Sequence, residues 1–199
     1  ASVSRISLTN RVLEVHANNN ATSIRVRHSG ANTVVTEVGT NGTWTYPTGS
    51  VQRVVFNGGS ANDSFDAAGL NLPVLAKGNG GNDQLIGGNA RDTLVGAAGI
   101  DTLSGGAEDD TLVTIDTRTD DTANGGPGRD TYWRDAVNGS YDSASVTADD
   151  FDNRVAEFAN GADRTLNGDD IADPSLPANW SYVAQPNRPL FATRGPSGS

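Results

Sequence analysis

Between Gly78 and Val113 the chain repeats itself every nine residues, as GNGGNDQLI, GGNARDTLV, GAAGIDTLS and GGAEDDTLV. Each unit opens on glycine (Gly78, Gly87, Gly96, Gly105), places aspartate sixth (Asp83, Asp92, Asp101, Asp110) and leucine eighth (Leu85, Leu94, Leu103, Leu112). One short unit cannot bury its apolar face alone, so a fixed period shared by three residue types commits the chain to stacked units. Nine residues exceed a strand and fall out of phase with an amphipathic helix. They fit half a coil, a six-residue turn followed by a three-residue strand.

In such a strand the leucine points inward and its neighbours at positions seven and nine point outward. Thr93, Thr102 and Thr111 at position seven suit a pleated, half-exposed surface. Glycine serves turns whose backbone is left-handed or closely approached. The aspartates need more than turn chemistry. Stacked coils put carboxylate over carboxylate, and like charges at that distance repel, so a cation belongs between them. Calcium suits the donors, because it takes 6–8 oxygens from carboxylates and backbone carbonyls. The competing reading has the aspartates only capping turns.

The pattern G-G-x-G-x-D-x-U-x, with U apolar, resembles the RTX nonapeptide, the calcium-binding repeat of parallel β-rolls. The resemblance implies an all-β fold, a right-handed parallel β-roll or β-solenoid with several bound Ca2+ ions. It also implies one ion between turns two units apart, so that Asp83 shares an ion with Asp101 and Asp92 with Asp110. Carbonyl ligands are implied at Gly78, Gly80, Ala97 and Gly99 for the first pair, and at Gly87, Asn89, Gly106 and Glu108 for the second.

Composition agrees with a metal-dependent acidic chain. The net charge is −10, which argues against nucleic acid or an anionic membrane as partner. Of the 24 acidic residues, 20 are Asp and 4 are Glu, a bias toward the shorter side chain that tight metal-binding turns favour. Without metal such a chain repels itself, and folding is expected to be coupled to calcium. There is no cysteine, hence no disulfide framework and no thiol nucleophile. Methionine is also absent, so Ala1 reads as the start of a processed or excised chain. No apolar run approaches the roughly 20 residues of a membrane span, and a secreted or cell-surface location is expected.

Residues 1–57 alternate apolar and polar residues in short runs broken by Asn, Gly and Ser. They read as an N-terminal β cap, either early solenoid coils or a small antiparallel sheet. His16 and His28 lie here without partners at ligand spacing and read as ordinary strand residues. The roll itself is expected over 58–135. Its first unit is degraded, with Gly58 and Gly59 in place, Asp63 sixth and Phe65 eighth, but no glycine fourth. Leu70 to Lys77 has no aspartate, and no complete ion site is expected there.

After Val113 the register breaks. Thr114 to Asn124 is two residues longer than a unit, a bulged coil with Asp116, Asp120 and Asp121 as irregular ligand candidates. The unit GGPGRDTYW then returns, with Asp130 as a further ligand candidate and Tyr132 and Trp133 closing the core. Residues 136–175 read as an acidic C-terminal cap. Within it Asp163 to Asp170 lacks the spacing of an EF-hand loop.

Residues 176–199 are rich in proline and read as an irregular linker. A short stretch of this tail, Arg188-Pro189-Leu190-Phe191 and then Gly195-Pro196-Ser197, resembles the segment ahead of the catalytic core in calpain-like cysteine proteases. That resemblance implies a downstream protease domain of the same polypeptide. It carries no catalytic residue, since the family's Cys, His and Asn motifs are absent. Two functions follow: a non-catalytic calcium-binding module, accessory or pro-region of a larger secreted protein, or an extracellular spacer or adhesin segment that binds a protein or glycan. A lyase built on a parallel β-helix would need clustered basic residues, and Lys77 is the only lysine.

Overall fold

A computed structural model describes residues 3–116, 118–137, 140–147, 149–156, 180–181 and 193–194. Asp163 to Asp170 and the protease-like stretches 188–191 and 195–197 lie outside them. Among the described residues the only helical piece is a 3-10 turn, Thr48–Ser50. Everything else regular is strand. The chain is a parallel β-solenoid of about five turns.

Two sheets face one another, and each coil contributes one strand to each. The first sheet runs in parallel through β2 (Val12–Ala17), β6 (Arg53–Asn57), β8 (Val74–Gly80), β10 (Thr93–Ala98), β12 (Thr111–Val113), β14 (Thr131–Val137) and β17 (Phe151–Ala156). The second runs through β3 (Ser23–Ser29), β7 (Ser64–Asp66), β9 (Gln84–Ile86), β11 (Thr102–Ser104), β13 (Thr122–Asn124) and β16 (Ser143–Ala144). Residues before 58 thus supply the first coil, β2 and β3. They also supply antiparallel strands at that end: β1 (Val3–Thr9) on β2, and β4 (Asn32–Glu37) with β5 (Thr43–Pro47) on β3. At the far end β15 (Ser140–Tyr141) turns back antiparallel on β14. In the tail, β18 (Trp180–Ser181) and β19 (Thr193–Arg194) pair antiparallel.

The nine-residue period sets the core directly. Ladder register stacks Phe56, Ala76, Leu94, Leu112 and Tyr132 on the first sheet, and Phe65, Leu85, Leu103 and Ala123 on the second. All are buried. The Phe56 and Phe65 rings stack at 4.8 Å across the two sheets, filling the coil whose next layer contains the small Ala76. Tyr132 ends the apolar row with a polar tip: its hydroxyl accepts the Gly125 N–H at 2.8 Å and donates to the Ser145 carbonyl at 3.0 Å. Trp133, its neighbour, lies on the opposite face. Beyond it Arg134 is buried and paired with Asp152, donating at 2.9 and 2.6 Å. Val95 and Val113 occupy position nine on the outer face, yet both are buried there, outside the roll's core cluster.

Candidate metal centre

The turns between the sheets carry two rows of aspartates, one along each edge of the solenoid. On one edge the N–H of Thr22 donates to Asp63 Oδ1, Asp63 to Asp83, Asp83 to Asp101, and Asp101 to Asp121, all at 2.7–2.8 Å, and Asp121 donates to Asp142 at 3.2 Å. On the other edge Val74 donates to Asp92, Asp92 to Asp110, Asp110 to Asp130 and Asp130 to Asp150, at 2.7–2.9 Å. Each carboxylate therefore satisfies a backbone donor of the preceding coil, a full account of one of its two oxygens. Leu70 to Lys77 contributes no carboxylate, and its ladder place is taken by the Val74 N–H alone.

The second oxygens divide by position in the row. At the ends they are bonded: Asp63 accepts Gly59 N–H, Asp92 accepts Gly88 N–H, Asp142 accepts the Thr114 hydroxyl and Asp135 N–H, and Asp150 accepts Thr147 N–H. In the interior they are not. Oδ2 of Asp83, Asp101, Asp110, Asp121 and Asp130 is buried with no hydrogen-bond partner. A buried carboxylate oxygen left bare is costly. Five of them are spread along the two rows, each beneath a like carboxylate, and oxygens of this kind are ligands that hard cations take.

Electrostatics state the same problem. Burial, with neighbouring carboxylates adding to it, lifts Asp83 to about 7 and Asp110 and Asp121 to about 8. Burial takes Asp92 and Asp101 to about 6, with nearby acids adding at Asp101. Asp63, Asp130 and Asp142 are raised too, chiefly by burial. A bound divalent cation reverses this by favouring the charged form.

Turn carbonyls supply neutral oxygens, and the coil gives them a polarity the repeat pattern does not contain. Position-one carbonyls face the preceding coil: a Cβ added to Gly78 would meet the Gly96 oxygen at 2.8 Å, and one on Gly87 the Gly105 oxygen at 2.2 Å. Carbonyls of positions two and four face the following coil: a Cβ on Gly99 would meet the Gly81 oxygen at 1.8 Å, on Gly106 the Gly88 oxygen at 2.0 Å, and on Gly128 the Glu108 oxygen at 2.0 Å. Between the Asp83 and Asp101 turns, the facing oxygens therefore include Gly96 and Gly81. The resemblance implies Gly78, Gly80, Ala97 and Gly99 as the carbonyl ligands of this pair. Between the Asp92 and Asp110 turns the facing oxygens include Gly105 and Gly88, the latter accepting the Ala107 N–H at 3.0 Å, and the resemblance implies Gly87, Asn89, Gly106 and Glu108 as the carbonyl ligands of this pair. Gly106 and Glu108 face onward, toward the Asp130 turn.

The long coil after Val113 separates its candidates. Asp120 is exposed, and both its oxygens accept from the Arg118 guanidinium, which holds it below the ordinary carboxylate range. Asp121, one residue on, is 1% exposed and occupies the ladder. Asp116 stands at the turn's edge, accepting the Gly99 N–H at 3.1 Å. Two consecutive aspartates in an irregular turn give the sequence no means to say which one points inward. His16 contacts Arg5 and Glu14 on the surface of the first sheet, away from either row. Among the described residues no three His, Asp or Glu side chains converge on one point. A cation in either row therefore draws on carbonyls as well as carboxylates.

Residues 77–112 match the family model of the RTX calcium-binding nonapeptide repeat, in four copies. With the parallel coils and the aspartate rows in place, the segment's class is settled. These residues form an RTX β-roll. No curated protein and no solved structure matches the chain. The RTX repeat is a calcium-binding, non-catalytic unit, and the two aspartate rows extend its geometry beyond the matched residues on both sides, to Asp63 and to Asp142 and Asp150. Among the described residues no helix is long and apolar enough to cross a membrane.

Proposed function

We propose that this chain is a non-catalytic module that binds several calcium ions and folds as it binds them. The supporting observation is the set of five buried, unbonded Oδ2 atoms in the interior of the two rows. Ions lie between successive turns, held by the pairs Asp83 and Asp101, Asp92 and Asp110, and Asp110 and Asp130, with facing turn carbonyls completing the shell. Asp92 enters through its partner, since its own second oxygen holds the Gly88 N–H. Extracellular calcium modules bind with Kd on the order of 10⁻⁴–10⁻³ M. At calcium a hundredfold above Kd each site contributes about 2.7 kcal/mol, so several sites decide whether the roll folds. A module of this affinity stays loose in a calcium-poor compartment and orders outside the cell.

The protein is an N-terminal accessory or pro-region of a larger secreted polypeptide, with residues 1–57 capping the roll. The tail's likeness to calpain-like proteases supports a downstream protease domain. Calcium titration of chelator-treated protein, followed by far-UV circular dichroism and calorimetry, tests the calcium reading. A cooperative gain of β signal with several ions bound is expected; full β structure with no binding overturns it.

A further inference from the structure

We infer that the edge strand β5 docks onto the β5 of a second copy of this chain, joining two solenoids through one continuous sheet. The inference goes beyond the calcium reading and uses none of the aspartate rows. At the N-terminal end the two sheets finish unequally. One strand, β1, lies beyond the first coil on the first sheet, whereas two, β4 and β5, lie beyond it on the second. β5 therefore stands clear of β1 by one strand spacing, about 4.8 Å. β1 is guarded by the exposed Arg5 and by a register shift between Val3 and Arg5. Both devices discourage strand pairing. β5, Thr-Trp-Thr-Tyr-Pro, has no charged residue, and its ladder with β4 is unbroken.

That ladder fixes which backbone groups of β5 face out. The Glu37 N–H donates to the Gly42 carbonyl at 2.9 Å and the Thr48 N–H to the Ala31 carbonyl at 2.8 Å, in the register that sets Thr36 opposite Thr43 and Asn32 opposite Pro47. Opposed residues of an antiparallel pair are alternately bonded and unbonded. Trp44 and Tyr46 therefore bond β4, and Thr43, Thr45 and Pro47 direct their backbone groups to the free edge. Among the described residues nothing pairs with that edge. About a two-fold axis at Thr45, the two Thr45 residues exchange both their bonds. Each Thr43 N–H then meets the carbonyl of Pro47 in the other copy, a place where the N–H that proline lacks is not needed. In the same register Trp44 falls opposite Tyr46 of the second copy, in an unbonded pair whose side chains approach most closely. Both rings are partly buried against the core and lie at the end that β1 leaves uncovered. The edge is thus self-complementary, as a two-fold interface must be.

An interface this small belongs to the weak, transient class, with Kd in the micromolar to millimolar range. Sedimentation equilibrium of the calcium-loaded chain, up to about 1 mM, is expected to show monomer and dimer in exchange. Thr45→Pro removes an N–H that β4 does not use, and Thr45→Lys sets two like charges opposite each other; each is expected to raise Kd about tenfold or more. The chain has no cysteine, so Thr45→Cys reports the pairing directly. Bonded partners stand about 5.5 Å apart at Cα, within reach of a disulfide. Oxidation is expected to give a covalent dimer of Thr45→Cys and to leave Thr9→Cys, on β1, monomeric. Should Thr45→Pro fail to fold, Thr45→Lys and Thr45→Cys carry the test. A parent chain that stays monomeric, a dimer unaltered in folded Thr45→Lys, or equal cross-linking of the two cysteine variants overturns the inference. None of these results bears on ion binding, which is measured separately.

Discussion

The backbone N–H of Asp83 donates to Oδ1 of Asp101, 2.8 Å away in the next coil, while Oδ2 of each carboxylate is buried without a partner. One oxygen joins successive coils and the other has no hydrogen-bond partner. The same division runs along both edges and ends only where a turn amide or hydroxyl reaches the second oxygen, as Gly59 does at Asp63 and Thr114 at Asp142. On the proposed calcium reading, structure and binding fall to different atoms of one side chain.

Protons should substitute in part for calcium. In the metal-free fold Asp83, Asp110 and Asp121 titrate near 7–8 and Asp92 and Asp101 near 6, against 3.8 when unfolded. The folded state therefore holds more protons than the unfolded one between about pH 4 and 8. Their contribution to stability is complete below the unfolded value and lost as pH rises through the folded values. Chelated protein is expected to gain β signal and melting temperature as pH falls from 8 to 5, and with calcium present the trend should flatten or reverse. Thermal melts in chelator and in calcium at both pH values check this; metal-free protein that is more stable at pH 8 would contradict it.

Much of this was legible in the period alone. The eighth-position leucines fell on the core and the sixth-position aspartates on the turns, because a strict repeat leaves one way to stack. Polarity was not legible: nothing in GNGGND says whether the Gly78 carbonyl faces the coil before or the coil after, and it faces the one before. Nor could Asp121 be told from Asp120 without knowing where Arg118 reaches. Strands β1, β4 and β5 pair antiparallel because no further coil covers those edges, a fact of assembly rather than of local pattern. The burial of Val95 and Val113 on the outer face had no signal beyond their being apolar.

Carboxylates inside and outside the row should behave differently toward calcium. Asp101 lies in the row, whereas Asp109 is a surface partner of Arg91 at 2.8 Å. Asp101→Asn is expected to lower both ion count and cooperativity of folding, since it faces Asp83 on one side and Asp121 on the other. Asp109→Asn should change neither beyond the small effect of a surface ion pair, about 0–1 kcal/mol. Calorimetric titration of the two variants side by side decides it, and equal losses would sink the stacking scheme.

Close packing of turns makes certain glycines irreplaceable. Gly99 has φ +142°, and a Cβ there would sit 1.8 Å from the Gly81 carbonyl oxygen, a backbone atom of the neighbouring coil. Gly99→Ala is expected to cost more than about 3 kcal/mol, since the coils themselves must part. Gly49 has open space around its Cβ position, and Gly49→Ala should be near neutral. Urea unfolding in saturating calcium compares them; a tolerated Gly99→Ala would mean the turns are not in van der Waals contact.

Two adjacent alanines offer a sharper test of turn geometry. Ala97 is held at φ +72°, in the left-handed region that disfavours a Cβ, at the unit position where Gly106 and Gly126 adopt positive φ of 121° and 98°. Ala98 follows it in β10 with ordinary backbone. Relief of left-handed strain is worth about 1–2 kcal/mol, while glycine's extra freedom in the unfolded chain costs about 0.5–1 kcal/mol. Ala97→Gly is therefore expected to stabilise by roughly 0.5–1 kcal/mol. Ala98→Gly meets only the entropic cost and should destabilise by about the same amount. Urea midpoints measured in saturating calcium read the two signs directly. Destabilisation by both would mean that the turn at Ala97 does not hold the left-handed conformation on which the stacking of Gly81 against Gly99 depends.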